Sequence, residues 1–239
     1  VLPRAAGGRV DEEGPPGNPV RVLSANVLGG SVPAPRLVGL ARRERADVLA
    51  VQELTPELDA RLRRAFAHRV ADPRADYTGT GIYSRFPLKR VPSPRGTEAA
   101  MSAAVAREPS GLRFTVVSVH PPPPVRSRLA RWRRDLRALP PAARSGPPLV
   151  LAGDFNATLD HAELRRLLDT GYADAAAETG DGLATTWRTG RLLPPPVTID
   201  HVLAERPVEA RRVDVHDLPP SDHRAVLAEL ILRRPRGAP

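Results

Sequence analysis

The chain has 239 residues, of which 41% are hydrophobic and 26% are charged, and this ordinary globular composition excludes wholesale disorder, collagen-like repeats and coiled coils. It has no cysteine, which excludes disulfides, zinc–cysteine sites and thiol nucleophiles, and its apolar runs are far shorter than the roughly 20 residues of a membrane span. The formal net charge of +9 would suit a nucleic-acid partner, but only Lys89 among the 36 basic residues is a lysine, so an arginine-rich coding bias explains much of that charge.

Short apolar runs rich in β-branched residues alternate with helical patterns along the chain, which predicts a mixed α/β fold. In chain order, the pattern predicts a strand over 20–27, a helix over 37–46, a strand over 48–51 and a helix over 58–66. Strands over 81–84, 101–106 and 114–119 follow, then an arginine-rich helix over 126–138 and a strand over 149–151. The last predicted elements are a helix over 161–169 and strands over 199–203, 213–215 and 225–231.

The domain organisation follows from what separates these elements. The chain has no internal repeat of fixed period, and its proline-rich stretches at 120–124, 140–148 and 194–196 are too short to link separate domains. We therefore expect one domain over 20–232 that acts as a monomer, with a flexible leader at 1–19 and a tail at 233–239.

Polar residues that can bind metal or phosphate recur at the ends of the predicted strands. A single Asp or Asn in such a place is usually a turn former or a helix cap. Six such elements in one chain are hard to attribute to turns alone. They contain Asn26, Glu53, His120, Asp154 with Asn156, Asp200, and Asp222 with His223.

Two of these elements are more specific than the others. In the run from Gly153 to Ala157, glycine permits a sharp turn, and Asp154 and Asn156 can point the same way because they are two residues apart in an extended segment. In the run Ser221-Asp222-His223, a carboxylate stands beside an imidazole just before a predicted strand. This pairing suits a metal or phosphate site better than a core.

The order of these motifs resembles that of the endonuclease/exonuclease/phosphatase superfamily, and the resemblance extends over the whole predicted domain. It implies a four-layered α/β sandwich in which two mostly antiparallel β-sheets are flanked by helices. It also implies a phosphoric ester hydrolase that depends on Mg²⁺ or Mn²⁺, with its site at one end of the sheets.

The resemblance assigns three residues to the metal. Glu53 corresponds to the principal ligand, and its carboxylate is the kind of donor that a hard divalent cation prefers. Asn26 corresponds to a residue that helps to hold metal and scissile phosphate, and Asp222 to a further carboxylate of the metal shell. Leu28 stands where some nucleases carry another metal-site Asp, which leaves the number of metals open.

The resemblance assigns five further residues to the reaction. Asp154 would orient or deprotonate the attacking water, with Asn156 beside it. His223 would stabilise the phosphorane or take a proton, and Asp200 would fix the orientation of that imidazole. His120 is a candidate acid for the leaving oxygen, as in the deoxyribonuclease I branch.

The substrate stays open at this point, because family resemblance does not name it. The helix that carries Arg126 to Arg137 could follow a nucleic-acid backbone, lie on an anionic membrane surface, or simply be solvated. The few aromatic residues lie mostly in apolar patterns, which argues against a single-strand binder. Rigid turns explain the proline-rich segments near His120 and Asp200 as well as a pocket does; if these segments line the site, they suit a lipid phosphate better than duplex DNA.

The closest resemblance is to a membrane-anchored branch associated with glycopeptide resistance in high-GC bacteria. It implies an extracytoplasmic domain, anchored through a preceding segment, that acts on a lipid-linked phosphate or pyrophosphate of the cell envelope. Two alternatives are a Mg²⁺-dependent DNA endonuclease and a non-catalytic module that binds anionic surfaces.

Overall fold

The computed structural model of the protein describes residues 18–142, 146–188 and 195–232. Nearly all of the predicted leader at 1–19, and the whole predicted tail at 233–239, therefore lie outside the described residues.

The strands and helices alternate in the order that the sequence pattern predicts. The strands are β1 (Asn18–Asn26), β2 (Val48–Gln52), β3 (His68–Asp72), β4 (Thr80–Ser84), β5 (Leu88–Arg90), β6 (Ala103–Arg107), β7 (Arg113–Val119), β8 (Leu149–Asp154), β9 (Tyr172–Asp174), β10 (Asp200–Glu205), β11 (Glu209–Asp217) and β12 (Arg224–Leu232). The helices are α1 (Ala34–Arg43), α2 (Pro56–Leu62), α3 (Leu129–Ala138), α4 (Ala162–Leu168) and α5 (Ala175–Thr179).

The described strands form two six-stranded sheets. The first has the order β11-β12-β1-β2-β4-β3 and the second the order β5-β6-β7-β8-β10-β9. The pairs β1–β2 and β7–β8 are parallel and the other pairs are antiparallel. The sheets face each other so that β12 lies over β10, β1 over β8, β2 over β7 and β3 over β5. The predicted four-layered sandwich of mostly antiparallel sheets is confirmed.

The layers explain why some strands are apolar throughout. In β2, Val48 and Ala50 belong to the core between the sheets, whereas Leu49 and Val51 belong to a second core beneath α1 and α2. A strand that is buried on both faces needs apolar residues at every position. A third core lies between the second sheet and helices α3 and α4, and it contains Trp132.

The predicted elements are present, with shifted bounds, and four short ones were missed. Helix α2 ends at Leu62, so Phe66 lies outside it, and Arg126 lies in a turn before α3. Strands β3, β5 and β9 and helix α5 were not predicted. Each has five residues or fewer, and none has the run of Val and Leu that marks the equally short β2.

No helix among the described residues is long and apolar enough to cross a membrane.

Candidate active site

All the predicted site residues lie at one end of the two sheets. The parallel strands β1 and β2 end there, as do β7 and β8, whereas β10 and β12 begin there. This topology brings together, from positions far apart in the chain, Asn26, Glu53, His120, Asp154, Asn156, Asp200, Asp222 and His223.

The carboxylate of Asp154 is the centre of this group. Its Oδ2 accepts a hydrogen bond of 3.1 Å from Asn26 Nδ2. The same oxygen lies 3.6 Å from His223 Nε2 and 3.7 Å from His120 Nε2. Asp154 is only 2% exposed, so its charge interacts with these groups with little screening by water.

Glu53 is joined to this centre through Asn26. The Asn26 Nδ2 group donates to Glu53 Oε1 at 3.1 Å, and the backbone N–H of Gly29 donates to Glu53 Oε2 at 2.7 Å. Glu53 has a left-handed backbone with φ of 59°, which is uncommon for a residue other than glycine and costs of order 1–3 kcal/mol. The surrounding contacts hold the carboxylate at the site in spite of that strain.

His223 and Asp200 form a buried pair. The Nδ1 of His223 lies 2.9 Å from Asp200 Oδ2 and 3.1 Å from Oδ1. Burial alone would lower the pKa of His223, but the carboxylates of Asp200 and Asp154 outweigh it and raise the pKa to about 10. The imidazole is therefore a cation near neutral pH, and each of its nitrogens carries a proton.

Asp154 has an environment that suits proton transfer. Burial raises the pKa of its carboxyl above the ordinary range, although the charge of His223 opposes this shift. A carboxylate of raised pKa is a stronger base. Its Oδ1 accepts a hydrogen bond of 2.8 Å from the backbone N–H of Asn156, whose side chain in turn donates to the carbonyl of Pro121 at 3.0 Å.

Gly153 allows the two central strands to approach at this point. A Cβ on Gly153 would lie 2.0 Å from the carbonyl oxygen of Val119, which is a severe overlap. The missing side chain therefore fixes how closely β7 and β8 approach just before His120 and Asp154.

Asp222 is oriented by a tryptophan. The indole Nε1 of Trp187 donates to Asp222 Oδ2 at 2.9 Å, and the other oxygen, Oδ1, is buried and has no hydrogen-bond partner. The Nδ1 of His120 is likewise buried without a partner. Unpaired buried polar atoms are costly, so their presence at the site fits a surface that completes its bonding with a bound group.

The donor set fits a divalent cation of the Mg²⁺ or Mn²⁺ type. Glu53, Asp154 and Asp222 offer carboxylate oxygens, which these ions prefer. Asp154, Asp200 and His223 also form a group with ligand atoms within 4.8 Å of one another. We favour the carboxylates over His223 as ligands because a protonated imidazole has no lone pair to donate.

Two residues that were not predicted from the sequence also organise the site. Trp187 orients Asp222, and the buried hydroxyl of Thr186 accepts hydrogen bonds of 3.0 Å from the backbone N–H groups of Ile199 and Asp200. The available signal was a tryptophan among polar neighbours shortly before the Asp200 strand. The proline-rich segment before Asp200 lies partly outside the described residues, since the structure does not describe 189–194.

His201, which the sequence left unassigned, is structural. It is 2% exposed, and its ring bridges Asp174 Oδ2 and the carbonyl of Ala157, each at 2.8 Å. Burial alone would lower the pKa of His201, but the hydrogen bond and the charge of Asp174 outweigh it and raise the pKa.

The arginine-rich segment does not present one continuous cationic face. Arg134 pairs with Asp135, and Arg137 forms two hydrogen bonds with Glu163 of α4. Arg128 and Arg131 instead lie beside Glu98, at 3.9 Å and 3.4 Å. The membrane-surface hypothesis therefore gains no support from this helix.

Comparisons with known proteins identify the family of the chain. The sequence pattern described as the Endonuclease/Exonuclease/phosphatase family matches residues 23–223. No curated protein sequence matches the chain.

Solved structures share the fold at low sequence identity. A humanized D. rerio TDP2 with 14 mutations has a TM-score of 0.69 and 19% identity, covering 90% of this chain and 99% of that one. D. rerio TDP2 complexed with single-strand DNA product has a TM-score of 0.68 and 19% identity, covering 90% and 100%. An endonuclease/exonuclease/phosphatase from Beutenbergia cavernae DSM 12333 has a TM-score of 0.67 and 21% identity, covering 90% and 72%. At these identities the similarity establishes the fold alone.

Proposed function

The chain belongs to the endonuclease/exonuclease/phosphatase family, and from this premise we propose that it is a divalent-metal-dependent hydrolase of phosphoesters. The observation that carries the proposal is the buried arrangement of Asp154 between the two imidazoles of His120 and His223 and the amide of Asn26. It combines a base, a cationic imidazole for phosphate oxygens and oxygen donors for a metal in one place.

In the proposed reaction, Asp154 accepts a proton from the attacking water, and its raised pKa favours that transfer. The protonated His223 stabilises negative charge on the phosphoryl oxygens, while Asp200 keeps its ring in place. Glu53 and Asp222, with Asn26, would hold Mg²⁺ or Mn²⁺, which polarises a phosphoryl oxygen when bound. His120 would deliver a proton to the leaving oxygen.

The test is hydrolysis of bis(p-nitrophenyl) phosphate with Mg²⁺ or Mn²⁺, and again with excess chelator. Glu53→Gln, Asp154→Asn and His223→Ala should each reduce kcat by at least about 10²-fold while circular dichroism shows a native fold. Activity that survives in all three variants, or that resists the chelator, would refute the site assignment.

A second, narrower proposal is that the substrate is a nucleic acid. The observation in its favour is the fold shared with D. rerio TDP2, which was solved with a single-strand DNA product. Metal-dependent nicking of plasmid DNA that disappears in Glu53→Gln would support a DNA endonuclease.

A lipid-linked phosphate or pyrophosphate of the cell envelope stays a prediction, together with the anchored extracytoplasmic location and the link to glycopeptide resistance. Release of phosphate from polyprenyl pyrophosphate in the same assay would support it. Metal-dependent turnover of any of these substrates would exclude the non-catalytic anionic-surface module.

A further inference from the structure

The positions of the strands show what lies on each side of the candidate site. The site residues come from the facing pairs β12 and β10, β1 and β8, and β2 and β7. One flank at the same end of the sandwich consists of the start of β12 and the end of β11. The opposite flank consists of the loops that join β3 to β4 and β5 to β6, since Thr80 of β4 pairs with Gln52 at the end of β2.

The flank next to His120 carries an exposed aromatic ring among arginines. We call Tyr77, Glu98, Arg128 and Arg131 the Tyr77 cluster. The Arg128 guanidinium lies 5.1 Å from the centre of the Tyr77 ring, a cation–π contact, and Glu98 accepts hydrogen bonds from Tyr77 Oη at 3.1 Å and from Arg131 at 3.4 Å. Tyr77 and Glu98 line one narrow crevice with His120.

Tyr77 is an exception to the expectation that the aromatic residues are buried. Its side chain is 38% exposed. In the same loop, hydrogen bonds from Thr78 lower the pKa of Asp76, and the nearby charge of Arg74 adds to this shift, so the charges of Arg74 and Asp76 offset each other. The cluster as a whole has two guanidinium groups for one carboxylate.

The flank next to His223 carries a second pair of arginines. We call Arg188, Asp217 and Arg224 the Asp217 cluster. Both guanidinium groups bond to Oδ1 of Asp217, with Arg224 Nε at 2.9 Å, and the Asp217 side chain is 61% exposed. Arg224 directly follows His223, and the backbone N–H of Arg188 donates to the carbonyl of Asp222.

The stability of the fold does not explain these clusters, because exposed ion pairs contribute little. Each cluster has two arginines and one carboxylate, so it has a net charge of one positive unit. Strands β12 and β4 are three strand spacings apart, which is about 14 Å. A substrate with a single phosphate group at the site could not reach both clusters.

We propose that the two clusters bind the phosphates on either side of the scissile one in a single strand of nucleic acid, with a base stacked on Tyr77. This inference rests on the proposed function and narrows its substrate class. Guanidinium groups bind phosphate oxygens in pairs, and a cationic path with an aromatic platform is how single strands are bound without sequence preference. A lipid phosphate would leave one cluster and the tyrosine ring unused.

Binding is measured by fluorescence anisotropy with a labelled oligothymidine of about 12 nucleotides, in chelator so that no strand is cleaved. Arg128→Ala and Arg188→Ala should each lower the slope of log affinity against log salt by about 0.7, the value for one lost phosphate contact on a single strand. Arg128→Lys and Arg188→Lys keep the charge and should retain most of the slope. Arg43→Ala is the control, because Arg43 is exposed and lies at the end of α1, next to Glu44.

Stacking is tested separately from charge. Tyr77→Ala should weaken binding of the oligothymidine at least about fivefold, the lower end for one stacked base, and should leave binding of an abasic strand of equal length unchanged. Equal losses on both strands would refute the stacking role.

The outcomes distinguish this inference from the proposed function. If the wild type hydrolyses bis(p-nitrophenyl) phosphate but the flank variants bind the oligonucleotide as the wild type does, the inference fails and the proposed function stands. If the same variants lose binding to anionic phosphatidylglycerol vesicles or to duplex DNA and not to the single strand, those partners replace it. If no phosphoester is hydrolysed, the proposed function fails whatever the binding shows.

Discussion

The substitution Gly153→Ala tests how the close approach of β7 and β8 fixes the candidate site. The new Cβ would lie 2.0 Å from Val119 O and 2.8 Å from the carbonyl carbon and amide nitrogen of Val119. Side-chain Cβ atoms essentially never approach other atoms within 3.0 Å, so the two backbones must separate by about 1 Å. Overpacking of this kind typically costs about 1–3 kcal/mol, and we expect the upper part of that range because backbone, and not a side-chain end, opposes the methyl group.

The same displacement should reduce activity beyond its effect on stability. His120 directly follows Val119, and Asp154 directly follows Gly153, so separation of the strands moves two candidate catalytic groups apart. A misplacement of about 1 Å can cost about 10²-fold in rate. We therefore expect a large fall in kcat for bis(p-nitrophenyl) phosphate at saturating metal, in protein that is still folded at the assay temperature.

Gly39→Ala is the matched control. Gly39 is exposed in helix α1, and a Cβ there would meet no atom within 4 Å. The same chemical change should stabilise the protein by roughly 0.5–1 kcal/mol and leave activity unchanged. Urea unfolding followed by circular dichroism gives both free energies of unfolding. Equal stability of Gly153→Ala and the wild type, or a shift of the same sign in both variants, would refute the reasoning.

Three further predictions concern the electrostatics and the metal. Arg137 holds the pKa of Glu163 below its ordinary value of 4.5, so Glu163→Gln should lower Tm at neutral pH. The difference in Tm between the wild type and this variant should be largest above pH 4.5, the unfolded pKa, and should vanish as pH falls through the folded pKa. A difference that is independent of pH would contradict this prediction. Trp187→Phe removes the hydrogen bond to Asp222, a candidate metal ligand, and should weaken Mn²⁺ affinity about 10–100-fold in calorimetry. Trp132→Phe, in the core beneath α3, should leave that affinity unchanged. Equal effects in the two variants would indicate a general loss of structure. Mn²⁺ at about 100 times its Kd should raise the free energy of unfolding by about 2.7 kcal/mol and much less in Glu53→Gln; an equal rise in that variant would place the metal elsewhere.

The sequence pattern predicted a mixed α/β fold, because apolar strands and amphipathic helices are recognisable locally, whereas the sandwich was predicted from the family resemblance. Strand β2 is apolar at successive positions, and helix α3 buries Trp132 and Leu136 on one face. The short strand β3 has no such signal, and it forms because β4 offers it a pairing edge. Its existence depends on a neighbour that is distant from any local window.

The sequence also predicted the candidate site residues, because polar groups directly after buried strands need a reason to be there, but it did not predict the hydrogen bonds and distances between them. Only the tertiary structure shows that Asp154 is the centre of the group, that Trp187 bonds to Asp222, and that Tyr77 is exposed beside Arg128. These contacts join segments that are far apart in the chain. Hydrogen bonds and charge interactions depend on distances in space, and strand order and sheet packing set those distances. Local sequence patterns do not contain that information.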